Sequence, residues 1–188
     1  MEQSAQAVLG DATETALVVL VPEADPLVDA HRQQFDVSAS WGVPAHLSVI
    51  YPFVTPRQVD DAVLTGLADL LAAESPFDCT FTKTAWFGDE MLYLVPEPDE
   101  PFRRLTRIVA EAFPDHPPYR GAHGDPVPHL SIGQRRRGDL AGLEQAQEVL
   151  CAAMPLHTRI DTAALYAGTR EAGSWQQVRT FPLGRPTR

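Results

Sequence analysis

The chain has 188 residues, of which 44% are hydrophobic and 21% charged, and its formal net charge is −10 at pH 7. This length suits a single domain, or two small lobes that share one core. Lys83 is the only lysine in this acidic chain, so the basic track that long nucleic acids need is missing and extended RNA binding is disfavoured. A small anionic ligand in a locally basic cleft remains compatible with this composition.

The sequence has no feature typical of a membrane or secreted protein. No apolar run reaches the ~18 residues that suggest a membrane span, and the N-terminal segment lacks the basic and apolar regions of a signal peptide. Cys79 and Cys151 lie within apolar patterns, which favours free thiols over a disulfide or a metal site. We therefore expect a cytoplasmic protein without a membrane partner.

The first half of the chain predicts a strand, a helix, a short strand, a second helix and a long strand. A β-branched run that ends in Leu-Val-Pro-Glu leads to Asp25 and Pro26, which have the form of an N-cap and a first helical residue. Apolar residues follow at helical spacing. After the short strand, residues 55–58 have the form of a capping box that opens the second helix. Residues 77–87 predict the long strand.

The second half repeats this order. Leu-Val-Pro-Glu recurs at residues 94–97, and Glu100 with Pro101 predicts another helix start. A long loop rich in turn-forming residues leads to a second short strand, and Asp139 can cap the helix that follows. Residues 156–168 then have strand-like content.

This repeat indicates one domain over residues 1–188, with repeat halves at about 16–88 and 91–167 and a final strand at 174–183. We predict an α+β fold in which two pseudo-symmetric lobes line a central cleft with antiparallel sheets and carry helices outside. A parallel doubly wound sheet is the alternative, because strands and helices alternate. The paired strands at 77–95 and 156–183 argue against it.

The short strand of each half contains the tripeptide His-Leu-Ser. His46 and Ser48 lie in "PAHLSVIYPF", and His129 and Ser131 lie in "VPHLSIGQ". Side chains alternate across a strand, so each histidine shares a face with its serine. One such pair is more often structural than catalytic. The second copy, at the equivalent place of the repeat, favours a functional role, because stability gives no reason to keep both.

Two histidines and two hydroxyls suit proton transfer at a phosphate. Imidazole titrates near neutrality, so one ring can act as a base while the other acts as an acid. If one ring is the base and the other the acid, kcat/KM should show a bell-shaped pH profile with both limbs between about 5 and 8.5. Serine hydroxyls can donate hydrogen bonds to phosphoryl oxygens. Together these groups fit in-line attack on a phosphodiester, for which no metal is needed.

Paired His-x-Ser strands about eighty residues apart in a duplicated chain resemble the two-histidine (2H) phosphoesterase superfamily. The similarity is greatest to its bacterial branch of 2′-5′ RNA ligases and RNA 2′,3′-cyclic phosphodiesterases, and it extends over about residues 16–181. The resemblance implies a bilobal α+β fold with His46 and His129 as the acid–base pair. It also implies that Ser48 and Ser131 contact the phosphate, at positions where threonine is common in the family.

Four further residues are candidates for substrate binding. Tyr51 and Phe53 continue the first motif and could stack on a base at the cleft mouth, or could be core aromatics. Tyr119 and Arg120 precede the second motif, where a lid could supply stacking and a cation; an ordinary surface loop is equally compatible. The remaining histidines show no metal-ligand spacing, and no glycine-rich phosphate loop is present, so we expect neither a metal nor another cofactor.

The resulting hypothesis is a metal-independent phosphoesterase that acts on a 2′,3′-cyclic phosphate or a 2′-5′ phosphodiester. We expect a monomer whose substrate is a small nucleotide or a short RNA end, held through about one to three phosphates. The rival hypothesis is a nucleotide- or RNA-binding protein of the same fold without turnover. Hydrolysis and ligation, and either assignment of acid and base, are equally compatible with these residues.

Overall fold

The computed structural model describes residues 5–121 and 126–184. Its eight strands form one curled antiparallel sheet in the order β6-β3-β4-β5-β2-β1-β7-β8. The strands are β1 (Glu14–Leu20), β2 (His46–Ile50), β3 (Phe77–Phe87), β4 (Met91–Glu97), β5 (Leu130–Gln134), β6 (Leu156–Ile160), β7 (Thr162–Gly168) and β8 (Gln176–Pro182). The predicted α+β class with antiparallel pairing is confirmed.

Six α-helices accompany this sheet in the described ranges. They are α1 (Ala5–Asp11), α2 (Asp25–Phe35), α3 (Val37–Ser40), α4 (Asp61–Ala72), α5 (Glu100–Ala112) and α6 (Leu140–Ala153). None of these helices is long and apolar enough to cross a membrane.

The sheet consists of two four-stranded parts that meet at one narrow junction. Strands β2, β1, β7 and β8 form the first lobe, and strands β6, β3, β4 and β5 form the second. At the junction β2 and β5 pair antiparallel, with Leu47 opposite Leu130. Through this pairing the antiparallel sheets of the two lobes are continuous with each other.

Each lobe combines strands from both halves of the sequence. The long strand β3 leaves the first half and pairs with β4, while β7 of the second half pairs with β1. Helix α4 connects β2 of the first lobe to β3 of the second, and the chain returns to the first lobe between β6 and β7. The strand order is therefore a palindrome about the β2–β5 junction, in which β1 corresponds to β4 and β3 to β7.

The main core lies between the helices and one face of the sheet. Residues Leu17, Leu47 and Leu130 of the central strands face this core together with Leu67 and Leu71 of α4. Such apolar residues recur at helical spacing on one side of each helix, so each helix buries one face. The opposite face of the sheet is left to line the cleft.

Element boundaries differ from the sequence predictions where local hydrogen bonds decide them. Asp25 lies inside α2 rather than at its N-cap, and its carboxylate accepts a hydrogen bond from the backbone N–H of Ala45 at 3.0 Å. Residues 56–58 form a 3₁₀ turn, and α4 begins later, capped by Asp60. Asp139 caps α6 as predicted, accepting from the N–H of Gly142.

Replacing Gly133 of β5 with alanine should destabilise the protein, because α2 and α6 press on this position. An added Cβ would lie 2.3 Å from Cβ of Phe35 and 2.8 Å from Cδ2 of Leu143. Overpacking of this kind costs about 1–3 kcal/mol. Urea denaturation measures the change, with Gly10→Ala in α1 as the control, since nothing lies within 4 Å of that Cβ. An unchanged midpoint for Gly133→Ala would contradict this packing.

Candidate active site

The β2–β5 junction brings the two His-Leu-Ser motifs together on one face of the sheet. With Leu47 opposite Leu130, the antiparallel register sets residue 46 opposite 131 and residue 48 opposite 129. Both leucines face the core, so all four polar side chains face the cleft. Each histidine thus lies beside the serine of the other motif. The two histidines are diagonal neighbours, about 7–8 Å apart by sheet geometry, which leaves space for a phosphate.

These four side chains line a cleft of about 700 Å³ between the lobes. The charged side chains among its described lining residues, apart from the histidines, are Asp36, Arg136 and Arg170. Asp36 is neutralised by the buried Arg32 at 3.0 Å. Arg170 is likewise paired, with Glu14 at 3.0 Å. Among the described lining residues Arg136 therefore supplies the positive charge that no carboxylate offsets, although the chain as a whole is at −10.

Both imidazoles are held by the same local hydrogen bond. The Nδ1 atom of His46 lies 2.7 Å from the carbonyl oxygen of Pro44, and Nδ1 of His129 lies 2.7 Å from that of Val127. A carbonyl only accepts, so we assign the proton of each neutral ring to Nδ1. This assignment leaves Nε2 of each ring available to a ligand, as acceptor when neutral and as donor when protonated.

The two rings differ in their electrostatic surroundings. Burial, and next the positive charge of Arg32, lower the pKa of His46 to about 4. Burial also lowers the pKa of His129. A backbone carbonyl and the carboxylate of Asp36 oppose the shift at both rings, but Arg32 is a cause of the lowered pKa only at His46. Both imidazoles are therefore neutral at pH 7 in the free protein, and His129 accepts a proton more readily than His46 does.

Arg32 and Asp36 form a buried ion pair beneath the cleft. Their side chains are 1% and 2% exposed, and Nε and Nη2 of Arg32 both donate to Oδ2 of Asp36. Arg32 also donates to the carbonyl of Val43, just before the first motif. Asp36 accepts hydrogen bonds from the backbone N–H and the hydroxyl of Ser38, and Asp36 is thereby the N-cap of α3. This network holds the chain entering β2 and sets the charges nearest the histidines.

The candidates that follow the first motif occupy different environments. Tyr51 lines the cleft, donates its hydroxyl hydrogen to Glu14 at 2.8 Å and packs edge-on against Trp175. Phe53 is 4% exposed and packs edge-on against Phe113, outside the cleft lining. Of the two interpretations of Phe53, the structure therefore supports the core aromatic.

The candidates in the loop before the second motif also separate. Tyr119 lines the cleft, and its backbone N–H donates to the carbonyl of Tyr51 at 2.9 Å. Arg120 is exposed, approaches Glu14 at 3.7 Å and borders a neighbouring groove instead of the cleft. Only Tyr119 is therefore placed where it can reach a ligand beside the histidines.

Several cleft residues escape sequence reasoning. Trp41 and Trp175 stack with their ring centroids 6.2 Å apart, although 134 positions separate them along the chain (175 − 41). Arg170 lies beside them and pairs with Glu14 at 3.0 Å. No local motif surrounds these residues, and only the pairing of β1 with β7 brings them to the cleft. Among the described residues no three His, Cys, Asp or Glu side chains group as a metal site would require.

The family model of the 2′-5′ RNA ligase superfamily matches residues 20–172. The chain therefore belongs to this superfamily of 2H phosphoesterases. None of the curated proteins matches the sequence significantly.

Solved structures show the same fold at low sequence identity. Escherichia coli LigT complexed with 3′-AMP is 14% identical with a TM-score of 0.57, and LigT complexed with phosphate is 14% identical with a TM-score of 0.56. TT0787 of Thermus thermophilus is 17% identical with a TM-score of 0.59. The similarity covers 93% of this chain in each case and 99–100% of the other chain.

Replacing Asp36 with asparagine should destabilise the fold strongly, because Arg32 would remain as a buried cation without its counter-ion. Breaking a buried pair in this way costs about 3–5 kcal/mol. Asp99→Asn is the matched control, since Asp99 and Arg103 also pair four residues apart but are partly exposed. That surface pair contributes about 0–1 kcal/mol. Equal unfolding free energies for the two variants would show that the Arg32–Asp36 pair is not desolvated.

Proposed function

We propose that the protein is a metal-independent phosphoesterase acting on a 2′,3′-cyclic phosphate or a 2′-5′ phosphodiester of a nucleotide or short RNA. The observation that carries this proposal is the pair of equivalently held imidazoles, His46 and His129, each with Nε2 available on one face of a positively charged cleft. Membership of the 2′-5′ RNA ligase superfamily supports it. The LigT complexes with 3′-AMP and with phosphate are compatible with a small nucleotide as ligand.

His46 acts as the general base in this proposal. Its low pKa, set by burial and by Arg32, keeps Nε2 unprotonated at any pH above about 4. Nε2 takes a proton from a water molecule as the water oxygen attacks phosphorus in line with the leaving oxygen. Arg32 and its partner Asp36 act on the pKa of His46 in opposite directions, and that pKa falls because burial and Arg32 together outweigh Asp36 and the Pro44 carbonyl.

His129 acts as the general acid. An anionic phosphate between the rings raises the pKa of a neighbouring imidazole, and His129 is the ring whose surroundings oppose protonation less. Its Nε2–H then gives the proton to the 2′ or 3′ oxygen as the bond from that oxygen to phosphorus breaks. Both protons are accounted for, and the product is a phosphomonoester with a free hydroxyl.

The serines stabilise the negative charge on the non-bridging phosphoryl oxygens. Ser48 and Ser131 flank the site between the rings, and their hydroxyls can donate to the non-bridging oxygens as charge develops there. In the free protein the Ser131 hydroxyl has only a weak contact, to the sulfur of Met91 at 3.9 Å. It can therefore turn to a phosphate without losing a strong hydrogen bond.

Replacing either His46 or His129 with alanine should lower kcat by roughly 10²–10⁴-fold, the usual scale of acid–base catalysis. Ser48→Ala and Ser131→Ala should cost less per residue, because each removes one of several donors. Turnover of 2′,3′-cyclic AMP measures these effects, and EDTA should leave the wild-type rate unchanged. His157→Ala is the matched control, since His157 is an exposed histidine outside the cleft.

Three outcomes would contradict the proposal. Full activity in His46→Ala or His129→Ala, or loss of wild-type activity on chelation, would overturn the mechanism. Binding of a nucleotide in the cleft with no turnover of cyclic or 2′-5′-linked compounds would favour the rival binding protein.

The pH dependence of kcat/KM should be bell-shaped, with its maximum below pH 6.5. Both limbs move to lower pH than the interval of about 5 to 8.5 expected from the sequence, because burial lowers the pKa of both rings. Protonation of His46 inactivates the base, so the acidic limb lies near the pKa of about 4. Loss of the proton from His129 inactivates the acid, and because this pKa is lowered the alkaline limb begins below the ordinary 6.5. From pH 6.5 to 8.5 kcat/KM should fall about tenfold per unit. A kcat/KM that rises over this interval would contradict the assignment of acid and base.

A further inference from the structure

Met91 places its sulfur in the cleft beside one of the two serines. It is the first residue of β4, is partly buried and lines the cleft together with Ser131 and Gln134. In the sheet Met91 pairs with Gln134 of β5. The hydroxyl oxygen of Ser131 and the amide Nε2 of Gln134 each lie 3.9 Å from Sδ of Met91. Two hydrogen-bond donors of the cleft therefore point at one thioether sulfur.

Arg136 fixes the direction of the Gln134 amide. Nε of Arg136 donates to Oε1 of Gln134 at 2.7 Å. Because the oxygen is the end of the amide that accepts from Arg136, the nitrogen with its two hydrogens is the end that faces Met91. A thioether sulfur is only a weak acceptor. The two donors thus converge on an atom that satisfies them poorly.

Oxidation would turn this weak acceptor into a strong one. Hydrogen peroxide transfers one oxygen to a lone pair of the sulfur: the O–O bond breaks, sulfur loses two electrons, and the peroxide leaves as water. The product, methionine sulfoxide, is polar. Its S–O bond is much shorter than 3.9 Å, so an oxygen added on the side of the donors comes within hydrogen-bond distance of Ser131 and Gln134.

We propose that Met91 is a redox-sensitive modification site whose sulfoxide inhibits the enzyme by capturing the hydroxyl of Ser131. The inference rests on the proposed function, in which this hydroxyl donates to a non-bridging oxygen of the phosphate. In the oxidised protein the hydroxyl donates to the sulfoxide instead, and the phosphoryl oxygens meet the negative end of the S–O dipole. Oxidation thus removes a donor and adds a repulsion at the same point.

The other sulfur atoms of the described residues lie away from the phosphate site. Met154 packs against the main core, Cys79 is buried and Cys151 is exposed on α6. None of these three side chains lines the cleft. Met91 is therefore the described sulfur whose oxidation changes the cleft directly. The modification is reversible, because methionine sulfoxide reductases remove the oxygen from either sulfoxide epimer.

Turnover of 2′,3′-cyclic AMP after treatment with hydrogen peroxide tests the site, with each variant compared with its own untreated rate. A hydrogen bond to a charged group contributes about 10- to 150-fold, so the oxidised wild type should lose kcat/KM by that factor. Met91→Leu should keep its own rate, because it has no sulfur to oxidise. Met154→Leu and Cys151→Ala are the controls and should be as sensitive to peroxide as the wild type.

Ser131→Ala separates capture of the hydroxyl from general oxidative damage. This variant has no hydroxyl to capture, so peroxide should lower its rate by a much smaller factor than it lowers that of the wild type. Peptide mass mapping measures the extent of oxidation at Met91, and methionine sulfoxide reductases should restore the wild-type rate. Equal losses in Ser131→Ala and wild type, or an equal loss in Met91→Leu, would overturn the proposal.

Calorimetric titration of 3′-AMP makes a second readout that does not require turnover. Oxidation of Met91 should weaken 3′-AMP binding to the wild type and have a much smaller effect on binding to Ser131→Ala. This result in a protein that turns over no cyclic or 2′-5′-linked compound would support the modification site and overturn the proposed function. Turnover that survives complete oxidation of Met91 would overturn the modification site and leave the proposed function standing.

Discussion

The site depends on one antiparallel contact, between Leu47 of β2 and Leu130 of β5. Because side chains alternate along a strand, placing two leucines opposite each other in the core sets the residues on either side of both toward the cleft. A shift of one residue in this register would turn the histidines and serines into the helical core. Core packing and the arrangement of the polar groups are therefore set by the same pairing, and glycine at position 133 lets α2 pack closely on β5.

The two halves of the site are related by the sheet but not equivalent. Each imidazole has the same hydrogen bond to a carbonyl two residues earlier. The backbone alone would therefore give the two imidazoles the same proton position and a similar pKa. The charge of Arg32 next to His46 breaks that equivalence. In our account this difference separates base from acid, as a site needs when both proton transfers run at one pH.

The sequence predicted well what depends on local pattern. The fold class, the strand at residues 77–87 and the Asp139 cap follow from periodicity and capping chemistry, and the structure has all of them. Duplication of His-Leu-Ser identified the four side chains that the β2–β5 junction brings to one cleft. The paired strands at 77–95 also follow from the sequence, and the structure pairs β3 with β4. The sequence does not reveal that β7 pairs with β1, because that partnership depends on where the chain crosses between the lobes.

Other site residues could not be predicted because their signals are not local. Arg32 has the pattern of an ordinary polar residue of an amphipathic helix, and only its burial against Asp36 gives it an effect on His46. Trp41 and Trp175 come from distant segments that meet through β1 and β7. Phe53 continues the first motif in sequence, yet it lies after β2 has ended and packs into the core.

The most direct test of the account is the protonation state of the two imidazoles, measured by nitrogen NMR of selectively labelled histidine with and without 3′-AMP at pH 7. We expect both rings to be neutral with the proton on Nδ1 in the free protein. On binding, His129 should take up a second proton at Nε2 while His46 stays neutral. Rings that both remain unchanged on binding, or a proton taken up by His46 instead of His129, would contradict the assignment of base and acid.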